Sequence, residues 1–170
     1  MTELPEASRR LLGSMPELEI DIHHFPEGTK TAHDAALAIG CPVSAIAKSL
    51  VFVLIHDDGA EEPVLALVSG DLRLDTGALA EVAGADTSRR ATLDEVRQAT
   101  GYAAGGTPPF GHVRPLRVFA DIQLRRNDPV WAAGGTPTTV FPISVDDLDR
   151  LAAPVWANLT VASASEAEPA

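Results

Sequence analysis

The sequence predicts a single domain that mixes helices and strands around one core. Three observations carry this. A chain of 170 residues is long enough for one sizeable core. Capping residues open helices at Thr31, Asp75, Thr92 and Ser144, and Gly40, Gly84 and Gly101 stand where helices end. Between them lie alternating or wholly apolar runs bounded by turn residues, the pattern of strands.

In chain order, residues 3–12 read as a short amphipathic helix with Leu4, Leu11 and Leu12 apolar. Leu18-Glu19-Ile20-Asp21-Ile22 alternates as a half-buried strand does, and His23 to Gly28 turns the chain. Thr31 and Asp34 form a capping-box-like start for a helix that runs through Ala38 and stops at Gly40. Pro42 to Ala45 allows one further turn before Ile46–Ile55, which is apolar on both faces from Leu50 onwards, as in a central strand. His56-Asp57-Asp58-Gly59 signals a hairpin, and Pro63–Val68 is the returning strand. Helices follow over Asp75–Val82 and from the Thr92/Glu95 capping box to Gly101. Leu116–Ile122, Trp131-Ala132 and Val140–Ile143 read as strands, and Ser144 caps a last helix through Leu151. The domain is expected to span residues 1–161, with 162–170 a disordered acidic tail.

Composition excludes several classes of function. A net charge of −11 counts against unaided gripping of nucleic acid, although arginines gather between Arg89 and Arg126. No apolar run approaches the roughly 20 residues that span a bilayer, and Met1–Gly13 holds no apolar signal core, so a cytoplasmic protein is expected. The single cysteine, Cys41, excludes an internal disulfide and a cysteine-based metal cluster; it reads as a small packing residue. His23 and His24 point to opposite faces of a strand and make a poor chelate. The sequence holds no Walker, GxGxxG, HExxH or GxSxG pattern.

Two features hold chemical promise. The first is Thr100-Gly101-Tyr102-Ala103-Ala104-Gly105-Gly106-Thr107-Pro108-Pro109-Phe110-Gly111-His112, where permissive glycines precede locked prolines. Its amides could meet an anion or a polarised carbonyl; equally, the segment could be a tight turn joining two elements. The second is Lys48, a charge at the start of a buried strand, which either snorkels from the strand end or fixes an ammonium in a cleft. An internal echo accompanies them: Tyr102-Ala-Ala-Gly-Gly-Thr-Pro108 recurs as Trp131-Ala-Ala-Gly-Gly-Thr-Pro137. The flanks differ, which counts against a duplicated domain; two similar turns beside one cleft would explain the echo, and so would coincidence in a chain rich in alanine and glycine.

Taken in order, Ala47-Lys48-Ser49-Leu50-Val51, Leu67-Val68-Ser69-Gly70-Asp71, Thr100-Gly101-Tyr102 and Gly105-Gly106-Thr107-Pro108-Pro109-Phe110-Gly111 resemble the YbaK/ProX family of aminoacyl-tRNA editing domains. Asp121, Gly134-Gly135 and Val145-Asp146-Asp147-Leu148 keep the same order, and the resemblance covers about residues 18–152. It implies a compact α+β domain with a mixed, partly barrel-like sheet and flanking helices. It also implies free-standing hydrolysis of the ester that joins a wrong amino acid to tRNA.

By this resemblance Lys48 is the signature active-site residue, and the loop over Gly105–Pro109 walls the pocket. Lys48 would hold the terminal phosphate or ribose, and the amides of Gly105, Gly106 and Thr107 would stabilise an oxyanion. Pro108, Phe110 and Gly111 would complete the substrate wall, with His112 as an accessory. Ala133, Gly134 and Gly135 would shape the amino-acid pocket. Members that deacylate Cys-tRNA have Ser-Gly-Gly at those three positions, so Ala133 counts against a cysteine-type substrate. An aminoacyl ester is already activated, so no protein nucleophile, metal or cofactor is required. The expected partner is a mischarged tRNA acceptor end, with an aminoacyl-tRNA synthetase as a second candidate. Two alternatives stay open: a non-catalytic module that binds a tRNA end, nucleotide or synthetase, and a small-ester or amide hydrolase without tRNA.

Overall fold

A computed structural model of the chain describes residues 4–26 and 31–162. Its helices are α1 (Glu6–Ser14), α2 (Ala32–Ile39), α3 (Thr76–Ala83), α4 (Leu93–Thr100) and α5 (Val145–Ala152). Its strands are β1 (His23–His24), β2 (Ile46–Ile55), β3 (Glu61–Ser69), β4 (Leu72–Leu74) and β5 (Thr87–Arg90), then β6 (Arg117–Asp121), β7 (Val130–Ala133), β8 (Thr139–Ile143), β9 (Val155–Ala157) and β10 (Thr160–Ala162). The architecture is α+β. Helix boundaries follow the caps: Thr31, Asp75, Thr92 and Ser144 each accept an amide of the first turn through the side chain. Gly40, Gly84 and Gly101 all take left-handed φ at the far ends, a conformation that costs glycine nothing.

The main sheet is mixed and runs in the order β1-β8-β7-β2-β3-β6-β9. β2 is its central strand, antiparallel to β3 along its whole length and parallel to β7 at Ile46 and Ala47. β5 joins β2 on the same edge as β7, pairing Phe52–Ile55 antiparallel with Thr87–Arg90. A separate ribbon pairs β4 with β10.

Because side chains alternate across a strand, β2 serves two cores. Ala47 and Val51 join Leu65, Leu67, Phe110 and Phe141 on one face, and Leu50, Phe52 and Leu54 join Val64, Leu79 and Phe119 on the other. This explains the wholly apolar run: the strand is covered on both sides.

The expected strand at 18–22 is not one. Leu18, Ile20 and Ile22 do pack on the first core, so the alternation is genuine, but ladder bonds begin only at His23 and His24, against Val140 and Thr139. The segment buries one face without a partner strand. Ala162 belongs to β10, so the chain stays ordered one residue past the expected boundary; the rest of the expected tail lies outside the described residues. No helix among the described residues is long and apolar enough to cross a membrane.

Candidate active site

The site begins with a gap in the sheet. On one edge of β2, β7 stops at Ala47 and β5 starts at Phe52, so residues 48–51 have no ladder partner there among the described residues. Odd-numbered residues of β2 aim their backbone groups at this edge, as the 3.1 Å bond from the Ala91 N–H to the Val51 carbonyl shows. Beside the gap lies a cavity of about 470 Å³ walled by Ser49, Val51, Arg90, Val96, Gly105 and Thr107 among others.

Its wall is mostly apolar, with a few polar groups. Ser49 is 7 % exposed and its Oγ has no hydrogen-bond partner. Ser69, on the same face, is likewise buried with an unpartnered hydroxyl. A buried polar atom left unpaired costs stability, so such atoms point to a ligand or water. Across the cavity, Gly105 takes φ +84, and neither its amide nor that of Thr107 has a partner among the described residues. On its other side Gly105 walls a notch of about 10 Å³ with Ala47, Trp131, Ala133 and Val140.

The two echoed loops touch. The Gly135 N–H donates to the Gly106 carbonyl at 3.0 Å, and a Cβ on Gly106 would lie 2.5 Å from Thr136 Cα. α1 then closes over both. Arg10 donates to the Gly101 carbonyl and covers the Tyr102 ring, Ser8 bonds Thr139, and the Ala7 backbone leaves no room for a Cβ on Gly135.

Lys48 is neither at the surface nor in this cavity's wall. It stands on the opposite face of β2, with Leu50 and Phe52, is 1 % exposed, and donates from Nζ to the Leu72 carbonyl at 2.8 Å. Snorkelling is therefore not its role. A second cavity, of about 610 Å³, opens on this face between β2, β4 and β10.

Residues 26–151 match the model of the aminoacyl-tRNA editing domain family. The chain belongs to that family. It is 30 % identical over 139 residues to the uncharacterised protein YwhH of Bacillus subtilis (strain 168), covering 81 % of this chain and 85 % of that one. It is 33 % identical to a proline–tRNA ligase of Nitratidesulfovibrio vulgaris over 84 % of this chain but only 24 % of the ligase. Among solved structures, a proposed trans-editing enzyme for prolyl-tRNA synthetase superposes with a TM-score of 0.84 at 39 % identity, covering 94 % of this chain and 99 % of that one.

Within this editing domain the expected site residues divide into walls and supports. Gly105, Thr107 and Ala133 line the cavity or its notch. Gly106 does not reach the cavity through its amide: that N–H donates to the Ala103 carbonyl at 3.0 Å. Phe110 is core, its ring centroid 6.0 Å from that of Phe141. Gly111 at φ +76 packs against Leu11 and Ser14. Gly134 and Gly135 carry the contacts to Thr139 and α1. Pro108 and His112 brace each other, His112 Nε2 donating to the Pro108 carbonyl at 2.7 Å; burial pushes the His112 pKa down, against the opposing pull of that bond. Asp121 is an anchor, its carboxylate accepting from Leu159 N, Thr160 Oγ1 and Gln123 N.

Sequence reading missed Ser49, Arg90 and the walls from α4. Ser49 carried a usable signal, a hydroxyl inside an apolar strand. Arg90 carried none, because arginines are common and its neighbours are paired. Arg89 bonds Glu95 and Glu61, Arg117 bonds Glu62, and Arg126 bonds Asp71, so this surface is mixed in charge rather than a basic face.

Proposed function

We propose that this chain hydrolyses the ester of a mischarged aminoacyl-tRNA, acting in trans. The observation that carries the reading is the cavity in which two unpartnered loop amides, Gly105 and Thr107, stand across from the buried Ser49 hydroxyl. Amides fixed by the loop can hold the oxyanion that forms as water attacks the ester carbonyl. Such donors need no reorganisation during the reaction, so their stabilisation is largely retained in the transition state. Ser49 Oγ can orient the attacking water or a ribose hydroxyl. Lys48, buried behind the strand, adds positive potential at the gap, where low dielectric strengthens it.

The amino acid is small. The notch beside Gly105 holds about one water-sized group, and apolar Ala47, Trp131 and Val140 surround it. The family, the prolyl ligase relatives and the proposed trans-editing neighbour together support a tRNA for proline carrying a smaller, wrong residue.

The test is deacylation over a panel of mischarged tRNAs. Lys48→Met keeps the buried volume while removing the charge, and is expected to lower the rate by more than tenfold, about 1.4 kcal/mol of barrier. Wild-type protein inert across the panel, or Lys48→Met with most of its activity, would overturn the reading. Lys48→Ala is the poorer probe, because emptying so buried a position also costs stability.

A further inference from the structure

The two cavities lie on opposite faces of β2, yet they share two walls, Leu50 and Arg90. Arg90 is the last residue of β5 and stands opposite Phe52, so its side chain shares the face of the second cavity. Past it the Ala91 N–H still bonds the Val51 carbonyl, and the edge of β2 lies open only beyond that, at Ser49. Among the described residues its guanidinium has no ion pair or hydrogen bond, whereas Arg89, Arg117 and Arg126 are all paired with carboxylates. Arg97 and Arg114 have no carboxylate partner among the described residues either, but neither lines these cavities; Arg90 alone brings such a guanidinium to the junction of the two, in a chain of net charge −11.

The second cavity suits a nucleotide. Leu50, Phe52 and Leu74 give it an apolar floor, and Arg73 stands with Arg90 on its wall. The buried ammonium of Lys48 lies close by, on the carbonyl of Leu72, the residue before Arg73. One carboxylate, Asp75, also lines it, but its Oδ1 accepts the Gly77 and Ala78 amides at the start of α3, which take up part of its charge.

We propose that the 3′ end of the RNA crosses the open edge of β2 at Arg90. The aminoacyl ester then sits in the Ser49/Gly105/Thr107 cavity, the phosphodiester beside the terminal nucleoside meets the Arg90 guanidinium, and the preceding nucleotide occupies the Leu50/Phe52/Arg73 groove. Arginine suits this position because its planar fork meets two phosphate oxygens at once. The inference rests on the deacylase reading but assigns a separate surface. It also accounts for an acidic protein acting on RNA: one well-placed phosphate contact orients the end, and no basic face is needed.

The test compares aminoacyl-tRNA with 3′-aminoacyl-adenosine, which has the ester but no phosphodiester. Arg90→Gln is expected to lower kcat/KM on aminoacyl-tRNA by about 10–100-fold, mainly through KM, as for loss of one hydrogen bond to a charged group. The loss on aminoacyl-adenosine should be at least tenfold smaller, and Arg90→Lys should recover part of the difference. In a salt series the slope of log kcat/KM for tRNA should flatten by about 0.7, the value for one single-strand phosphate contact. Equal losses on both substrates, or none on tRNA, would overturn the proposal. Fluorescence anisotropy with an uncharged oligonucleotide ending in CCA separates the two readings. Arg90-dependent binding without any hydrolysis by wild type would sink the deacylase and leave the groove. Hydrolysis with Arg90-insensitive binding would do the reverse.

Discussion

The two copies of the aromatic-Ala-Ala-Gly-Gly-Thr-Pro pattern occupy different kinds of position. The first follows the end of α4 and is all loop; the second begins inside β7, with only its Gly-Gly-Thr-Pro half outside the strand. In the first, Gly105 faces the cavity and Gly106 faces the other loop; in the second, Gly134 faces Thr139 and Gly135 faces α1. Each second glycine is therefore a place where another backbone passes too close for a Cβ. The echo arises from stacking: first loop on second loop, second loop on α1. Of the two, only the first loop has amides without a partner among the described residues at cavity-lining positions, Gly105 and Thr107. Similar residues thus line a cavity in one copy and serve as support in the other.

Alanine at each second glycine breaks the stack at a different level. Gly106→Ala sets its Cβ 2.5 Å from Thr136 Cα, in a segment fixed by β7 on one side and β8 on the other. Overpacking of this kind costs about 3 kcal/mol, roughly 6–12 °C in Tm for a chain of this length. Gly135→Ala meets the Ala7 backbone at 2.9 Å, a looser clash than the 2.5 Å at Gly106, so about half that loss is expected despite φ +108. Thermal unfolding of both variants checks the order. A larger loss for Gly135→Ala would make α1, not the paired loops, the rigid element.

Gly105→Ala separates chemistry from support. A left-handed alanine costs only about 1–2 kcal/mol, so the fold survives. Relief of that strain would rotate its amide away from the cavity, and if this amide is an oxyanion donor as proposed, its loss is expected to lower kcat by about 10²-fold. Single-turnover deacylation on a tRNA that wild type edits is the measurement. If Gly105→Ala kept its rate while Gly106→Ala lost it, the donors would have to be sought in the second glycine instead.

Much of this fold was legible because local chemistry decided it. The caps at Thr31, Asp75, Thr92 and Ser144 and the glycines after α2, α3 and α4 fixed helix boundaries without help from the rest of the chain. The edge strands β4, β5, β9 and β10 were missed: they are three or four residues long, and partner strands impose their shape. The expected site residues fall into different structural settings that their order in the chain does not distinguish. Gly105 and Thr107 stand at the cavity, whereas Phe110 is core and the Gly106 amide is spent inside its own turn. Nothing in the order of residues tells which of two adjacent amides points inward. Lys48 and Ser49 show the same limit, since alternation places them on opposite faces but does not say which face holds the ester.

The smallest effect lies in titration, and it too falls on one loop only. Gly134 to Thr139 contains no ionisable side chain, while the first loop is braced by His112 on the Pro108 carbonyl. Burial disfavours the His112 imidazolium and lowers its pKa from the ordinary 6.5, partly offset by the carbonyl bond. Above the ordinary value both folded and unfolded chains hold His112 neutral, and this group adds no pH dependence. As pH falls below it, the unfolded chain takes up the proton first, so stability declines until the lowered folded pKa is reached and then levels off. The slope in that window is at most about 1.4 kcal/mol per pH unit. The informative quantity is the difference between wild type and His112→Gln, which keeps an N–H donor for Pro108 but cannot ionise. Wild-type Tm should fall more steeply than that of the variant as pH drops from neutrality. Parallel profiles would mean that His112 accepts its proton without strain, and that both loops are equally indifferent to pH.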